Sequence, residues 1–201
     1  MAENRQYFSK TNDELPSNEK IIYGKINDLS FKFKTDNGVF SKDFLDFASK
    51  LLLEKMDFDS ILDGAILDVG CGYGPIGIYA SYITKKAVVM LDINPRALAL
   101  SKENLILNNV NARVLESDCL DEVINEKFSC VITNPPIHAG KEVVYKIFTQ
   151  SYDVLIDGGS LWIVIQEKHG APSAIKKLKT IFPTVEIFYK KKGFYILKCI
   201  K

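Results

Sequence analysis

The fold of this chain is decided by the stretch Leu67-Asp68-Val69-Gly70-Cys71-Gly72-Tyr73-Gly74-Pro75-Ile76-Gly77. It begins as an apolar strand, passes through a glycine-rich turn and continues as a helix. Glycines let the backbone approach a ligand closely, and the start of a helix presents free amides. The stretch therefore predicts a nucleoside-like cofactor at the end of the strand.

The spacing of the glycines does not by itself identify that cofactor. Gly72, Gly74 and Gly77 fit the G-x-G-x-x-G pattern of dinucleotide-binding proteins. Asp68, two residues before Gly70, fits the alternative pattern D-x-G-x-G-x-G. A purely structural turn between strand and helix is the third interpretation.

Short apolar runs of the β-strand type alternate with helical segments on both sides of this turn. They cover residues 65–69, 87–91, 112–115, 128–133 and 160–165. Apolar strands separated by helices are typical of a parallel sheet that helices cover on both faces. Asn94 and Pro95 give the helix after the second run a clear start signal.

The two ends of the chain depart from this alternation. Residues 1–20 are polar and predict an N-terminal arm, and residues 21–201 predict a single domain. Alternating apolar residues around Asn27-Asp28 predict a hairpin, and residues 43–56 have helical spacing. Near the other end, residues 185–189 and 194–200 predict a second hairpin, which adds an antiparallel strand to the sheet.

Two acids stand where further strands end. Asp92, which is 24 residues after Asp68, can accept both hydroxyls of a ribose, in S-adenosylmethionine or in NAD alike. Asp118 follows the third strand and can accept from the amino group of adenine. Its alternative role is to cap a helix that begins near Leu120.

The sequence Asn134-Pro135-Pro136 follows the fourth strand directly and favours methyl transfer over hydride transfer. Two prolines make the loop rigid and fix where the asparagine points. An aromatic or amide NH2 is a poor nucleophile because its lone pair is delocalised. If the Asn134 side-chain oxygen and the Pro135 carbonyl both accept from that NH2, they orient it for attack. These three residues are the predicted catalytic residues, with a nicotinamide-dependent dehydrogenase and a plain strand-to-loop break as alternatives.

These motifs resemble those of class I S-adenosylmethionine-dependent methyltransferases with an N-P-P motif. More narrowly, Gly38-Val39-Phe40-Ser41, the glycine-rich run and residues 133–141 look like the small-subunit ribosomal RNA guanine-N2 methyltransferases. The resemblance covers residues 21–201, which would make the chain a short, single-domain relative, since longer members carry a second, degenerate domain. It departs at Ile137, where the family often has an aromatic residue that stacks on the target base.

The resemblance implies an α/β, Rossmann-like, doubly wound sheet of seven strands. Their order is 3-2-1-4-5-7-6 with strand 7 antiparallel and helices on both faces. It also implies S-adenosylmethionine as cofactor. The predicted cofactor contacts are Asp68, Gly70, Cys71, Gly72, Gly74, Asp92, Ile93, Asp118, Cys119 and Asn134.

The implied target is guanine N2 in ribosomal RNA or a ribosomal subunit. The predicted substrate contacts are Ile137, His138, Lys141, Lys168 and His169. Between residues 171 and 201 there are eight lysines and a single acid, Glu186, which suits an RNA partner. DNA adenine, a protein glutamine and a binding module without catalysis remain alternatives.

The composition predicts a cytoplasmic protein without a metal or membrane partner. The four cysteines have no C-x-x-C spacing, so they indicate neither a disulfide framework nor a zinc site. There is no signal-peptide pattern, and no apolar run approaches the roughly 20 residues that span a bilayer. The net charge of +1 by itself favours neither nucleic acid nor membrane.

Overall fold

The computed structural model describes residues 15–201, which form nine strands and five α-helices. The strands are β1 (Lys20–Ile26), β2 (Leu29–Thr35), β3 (Ile66–Val69), β4 (Val88–Asp92), β5 (Arg113–Glu116), β6 (Phe128–Thr133), β7 (Leu155–Gln166), β8 (Thr184–Lys191) and β9 (Phe194–Ile200). The helices are α1 (Phe47–Lys55), α2 (Pro75–Thr84), α3 (Pro95–Leu107), α4 (Lys141–Val154) and α5 (Ala171–Leu178).

Seven strands form one sheet in the order β5-β4-β3-β6-β7-β9-β8. Strand β9 is antiparallel to both of its neighbours, and the pairs from β5 to β7 are parallel. Numbered from β3 onward this is the order 3-2-1-4-5-7-6, so the predicted topology is confirmed. Strands β1 and β2 form a separate antiparallel hairpin, as predicted, and Asn27 turns it with a φ of 50°.

The sheet separates two hydrophobic cores because successive strand residues point to opposite faces. Ile66 packs into the core formed with α1, α2, α3 and the β1-β2 hairpin, whereas Leu67 and Val69 pack with α4 and α5. Trp162 in β7 is fully buried in the first core. In the described part of the chain, no helix is long and apolar enough to cross a membrane.

Helix α1 is shorter than the predicted segment 43–56. It begins at Phe47 because the Asp46 carboxylate accepts from the Ser49 amide at 2.7 Å and so acts as its N-cap. Residues 40–44 form turns before this cap. The helical spacing therefore predicted the helix but not its first residue.

The predicted polar arm falls mostly on residues 1–14, which lie outside the described residues. Its last part packs against the sheet domain. The Arg96 guanidinium donates to the Leu15 carbonyl at 2.8 Å, and the Ser17 hydroxyl donates to Asp36 at 2.9 Å. The division into an arm and one domain at residue 20 stays a prediction.

Close packing of α2 on β4 requires glycine at position 77. A Cβ atom there would lie 2.6 Å from Cγ and 2.7 Å from Sδ of the buried Met90. We expect Gly77→Ala to lower the free energy of unfolding by about 1–3 kcal/mol, the usual cost of overpacking a core. Urea denaturation measures this change. Adding Met90→Ala makes room for the new methyl group. The double variant should therefore lose less free energy of unfolding than the sum of the two single variants. A loss equal to that sum would contradict the clash.

Candidate active site

A cavity of about 420 Å³ lies at the carboxyl ends of β3, β4 and β6, where α1 closes one side. Its volume is typical of small-molecule and cofactor sites. Most of the residues predicted from the sequence line it. They are Gly70, Cys71, Gly72, Asp92, Ile93, Asp118, Cys119, Asn134, Pro135, Pro136, Ile137, His138 and His169.

The glycine-rich turn forms one wall of the cavity. Gly70 and Gly72 have φ angles of 74° and 57°, which favour glycine over residues with a side chain. A Cβ atom on either residue would meet no protein atom within 4 Å. Since both residues line the cavity, the missing side chains leave room for a ligand to lie directly on the backbone.

Asp92 presents its carboxylate to the cavity from the end of β4. One oxygen accepts from the Gly72 amide at 2.8 Å, and the other accepts from the Asn94 amide at 2.9 Å. Burial raises the pKa of this carboxyl, although these two amides and that of Ile93 oppose the rise. Each oxygen keeps further acceptor capacity, which suits a pair of ribose hydroxyls.

Asp68 and Gly74, which were predicted to contact the cofactor, are not among the residues that line the cavity. Asp68 is fully buried, and its carboxyl accepts from the Gly77 amide at 2.8 Å. Burial raises the pKa of Asp68 to about 8, and the nearby Asp92 adds to the rise. Gly74 is the N-cap residue of α2, with a φ of 103°. Both residues hold the start of α2 against β3, so they support the glycine turn from behind.

Asn134 is held by two residues that precede or belong to α1. Its side-chain NH2 donates to the Asp46 carboxylate at 3.1 Å and to the Ser49 hydroxyl at 3.0 Å. Because a carboxylate can only accept, the amide nitrogen must face Asp46. The Asn134 side-chain oxygen is therefore the group left for a ligand.

The backbone of the N-P-P loop is fixed by two short turns. The Ile137 amide donates to the Pro135 carbonyl at 2.8 Å, and the Ala139 amide donates to the Pro136 carbonyl at 2.9 Å. A carbonyl oxygen has two lone pairs, so Pro135 can still accept from a second donor.

The mouth of the cavity carries two histidines. The rings of His138 and His169 lie 5.8 Å apart between centroids, and both side chains are exposed. Lys141 and Lys168, which were predicted to contact substrate with them, are exposed and do not line the cavity. The structure thus brings together the two histidines and Ile137 but leaves the two lysines outside.

Asp118 lies at the exposed edge of the cavity. Its carboxylate is 3.6 Å from the Lys146 ammonium. The short 3-10 helix Asp121–Val123 does not use it as a cap, since the Glu122 amide donates to the Ser117 hydroxyl instead. Burial, followed by the neighbouring Asp118, raises the pKa of the Cys119 thiol to about 12.

Many residues of the cavity wall were not among the predicted site residues, and the polar and aromatic ones include Phe40, Asp46, Ser49, Tyr73 and Phe194. Tyr73 is 3% exposed, and its hydroxyl has no hydrogen-bond partner among the described residues. A buried hydroxyl without a partner is costly, which suits a polar atom of a bound ligand. Asp46 carried a usable signal, because an Asp directly before an apolar run with helical spacing, here the run that begins at Phe47, is typical of an N-cap.

Residues 30–198 match the model of the methyltransferase small domain family. The chain belongs to this family. It is 43% identical to the uncharacterized protein YbxB of Bacillus subtilis over 199 residues, which are 98% of each chain. It is 38% identical to ribosomal RNA small subunit methyltransferase C of Pseudoalteromonas atlantica over 145 residues, which are 70% of this chain and 41% of that one. It spans about two fifths to one half of the ribosomal RNA methyltransferases that it matches.

This chain also shares its fold with a ribosomal RNA methyltransferase of known structure. The T. thermophilus 16S rRNA N2 G1207 methyltransferase, in complex with AdoMet and guanosine, matches with a TM-score of 0.82 and 24% identity. The match covers 93% of this chain and 52% of that one. The family match and this shared fold together make the chain a class I S-adenosylmethionine-dependent methyltransferase. Its cavity has features that suit the cofactor, namely a glycine wall, the Asp92 carboxylate and the Tyr73 hydroxyl, which has no hydrogen-bond partner among residues 15–201.

We expect Asp92→Ala to weaken S-adenosylhomocysteine binding by about 1–3 kcal/mol, because hydrogen bonds to a charged group are lost. Isothermal titration calorimetry measures the change, and circular dichroism checks that the variant is folded. Asp157→Ala removes an exposed acid near the opposite end of β7 and is the matched control, with unchanged affinity expected. Unchanged affinity in a folded Asp92→Ala variant would exclude the ribose role.

Proposed function

We propose that this methyltransferase methylates an exocyclic amino group in RNA, namely guanine N2 of ribosomal RNA. The observation that carries the proposal is the held amide of Asn134, which leaves an oriented acceptor oxygen in the cofactor cavity. The names of the ribosomal RNA relatives support the substrate class. The guanosine in the T. thermophilus complex supports the base.

The chemistry requires the target NH2 to be oriented more than it requires a strong base. S-adenosylmethionine supplies a methyl group on a positively charged sulfur. The Asn134 side-chain oxygen and the second lone pair of the Pro135 carbonyl accept from the two hydrogens of the NH2. This directs the nitrogen lone pair out of the ring plane toward the methyl group and stabilises the charge that develops on nitrogen. Transfer would form the bond between nitrogen and the methyl carbon as the bond between that carbon and sulfur breaks, with S-adenosylhomocysteine as the leaving group. The methylated nitrogen would then release one proton to solvent at the cavity mouth.

Asp46 and Ser49 are positioning residues in this proposal. An unrestrained asparagine side chain can rotate and present its NH2 to the substrate, where two donors would face each other. The Asp46 carboxylate and the Ser49 hydroxyl oppose this rotation by holding the amide nitrogen. Because the same carboxylate caps α1, the orientation of Asn134 depends on where that helix starts.

The substrate class is tested with labelled S-adenosylmethionine. Small ribosomal subunits, naked ribosomal RNA, DNA and total protein are incubated separately with the enzyme, and labelled RNA is digested to nucleosides. We expect label in RNA as N2-methylguanosine. The Asn134→Ala variant should lose about 10²–10³ in rate, as when one positioned polar group is removed elsewhere. It should still bind S-adenosylhomocysteine. Preferential labelling of DNA or protein would contradict the proposed substrate.

The positioning role is tested with Asp46→Ser and Ser49→Ala. Serine is also a good N-cap, so the first variant keeps the start of α1 while shortening the side chain that holds Asn134. The second removes one acceptor but leaves the Ser49 amide that Asp46 caps. We expect each variant to lower the single-turnover rate at saturating cofactor by about tenfold, less than removal of Asn134 itself. A wild-type rate in both variants would show that Asn134 needs no such support.

A further inference from the structure

A group of partly exposed aromatic rings extends from the wall of the cavity to Phe47, which lies outside it. Phe40 and Phe47 are 44% and 40% exposed, and Phe44 between them in the chain is 67% exposed. The Phe194 ring lies 5.3 Å from that of Phe47, and Phe194 and Phe40 both line the cavity. Neighbouring exposed aromatic residues on a soluble protein are typical of a binding surface.

Positive charge adjoins these rings. The Lys192 ammonium lies 5.7 Å from the centre of the Phe47 ring, at the turn between β8 and β9. Lys190 and Lys191 come directly before it, and none of the three forms an ion pair within residues 15–201. A set of rings with lysines beside it suits a ligand that is planar and apolar on its faces and anionic along its chain.

We propose that Phe40, Phe47, Phe194 and Lys192, here called the aromatic rim, bind an unpaired nucleotide next to the target base. The proposal rests on the proposed function, in which the substrate is RNA. Every base has a face that can stack on an aromatic ring, and a lysine next to the ring can contact the phosphate of the stacked nucleotide. The target base must leave its helix or be unpaired to reach Asn134, so its neighbours are available for stacking.

The position of the rim supports this occupant. Phe40 and Phe194 belong to the cavity wall, and Phe47 follows Asp46, which holds the catalytic amide. A strand that delivers its base to Asn134 therefore passes these rings. The residue directly after the two prolines is Ile137, which has no ring, so the rim adds phenyl rings to the two histidine rings at the cavity mouth.

The test measures RNA affinity by fluorescence anisotropy at several salt concentrations. The probes are a single-stranded oligonucleotide and the duplex of the same sequence. We expect Phe47→Ala to weaken binding of the single strand by about tenfold, the effect of losing one stacked base. The loss should be much smaller for the duplex. Phe47→Trp should restore affinity because it keeps an aromatic face, and Tyr23→Ala should change nothing, since Tyr23 is 74% exposed on the separate hairpin.

Charge and stacking can be separated in the same experiment. Lys192→Glu should reduce the slope of log affinity against log salt by about one unit or somewhat more, because a phosphate contact releases counterions. Phe47→Ala should leave that slope unchanged. Both variants should bind S-adenosylhomocysteine within twofold of the wild type, since neither residue lines the cofactor cavity.

Several outcomes would contradict the proposal that the aromatic rim binds a nucleotide. One is a wild-type enzyme that methylates RNA while Phe47→Ala binds the single strand normally. Another is Phe47→Trp failing like Phe47→Ala, which would exclude stacking. A third is self-association of the wild type that Phe47→Ala abolishes in sedimentation, which would make a second copy the occupant. An absence of any RNA binding or methylation by the wild type would instead contradict the proposed function.

Discussion

The central strands β3, β4 and β6 are covered by helices on both faces, and this constraint determines where the protein can place polar chemistry. A strand buried on both faces must be almost wholly apolar, because a buried polar group without a partner is costly. Polar side chains are therefore concentrated where the strands end. Asp92 is the last residue of β4, and Asn134 comes directly after β6. Since parallel strands end at the same edge, these residues meet in one cavity.

Burial also separates two acids that look alike in the sequence. Asp68 stands one residue before the end of β3, where its side chain faces α2 and accepts from the Gly77 amide. Asp92 stands at the very end of its strand and reaches the cavity. Periodicity and glycine spacing indicate that both acids belong to the turn region. They do not indicate which face each carboxyl points to, and that orientation separates a structural acid from a ligand acceptor.

The sequence was sufficient for features that depend on residues close together in the chain. The apolar runs predicted the strands of the sheet, and the N-P-P loop predicted that Asn134 follows a strand end, because each signal lies within about ten residues. The resemblance added the strand order. The partners of Asn134 were not predicted, since Asp46 and Ser49 lie 88 and 85 residues earlier. Their contact exists only because α1 docks against the carboxyl edge of the sheet, and no local pattern encodes that docking.

The start of α1 connects the support of the Asn134 amide to the proposed aromatic rim. Successive residues of a helix point in directions about 100° apart, whereas residues three apart share a face. Asp46 and Ser49 are three apart and both contact the Asn134 amide, while Phe47 points away from them toward Phe194 and Lys192. A shift of the first turn of α1 would move the amide support and the aromatic ring together. Because Asp46 and Phe47 are adjacent in the chain, the support of the Asn134 amide and the proposed aromatic rim are built on the same helix start.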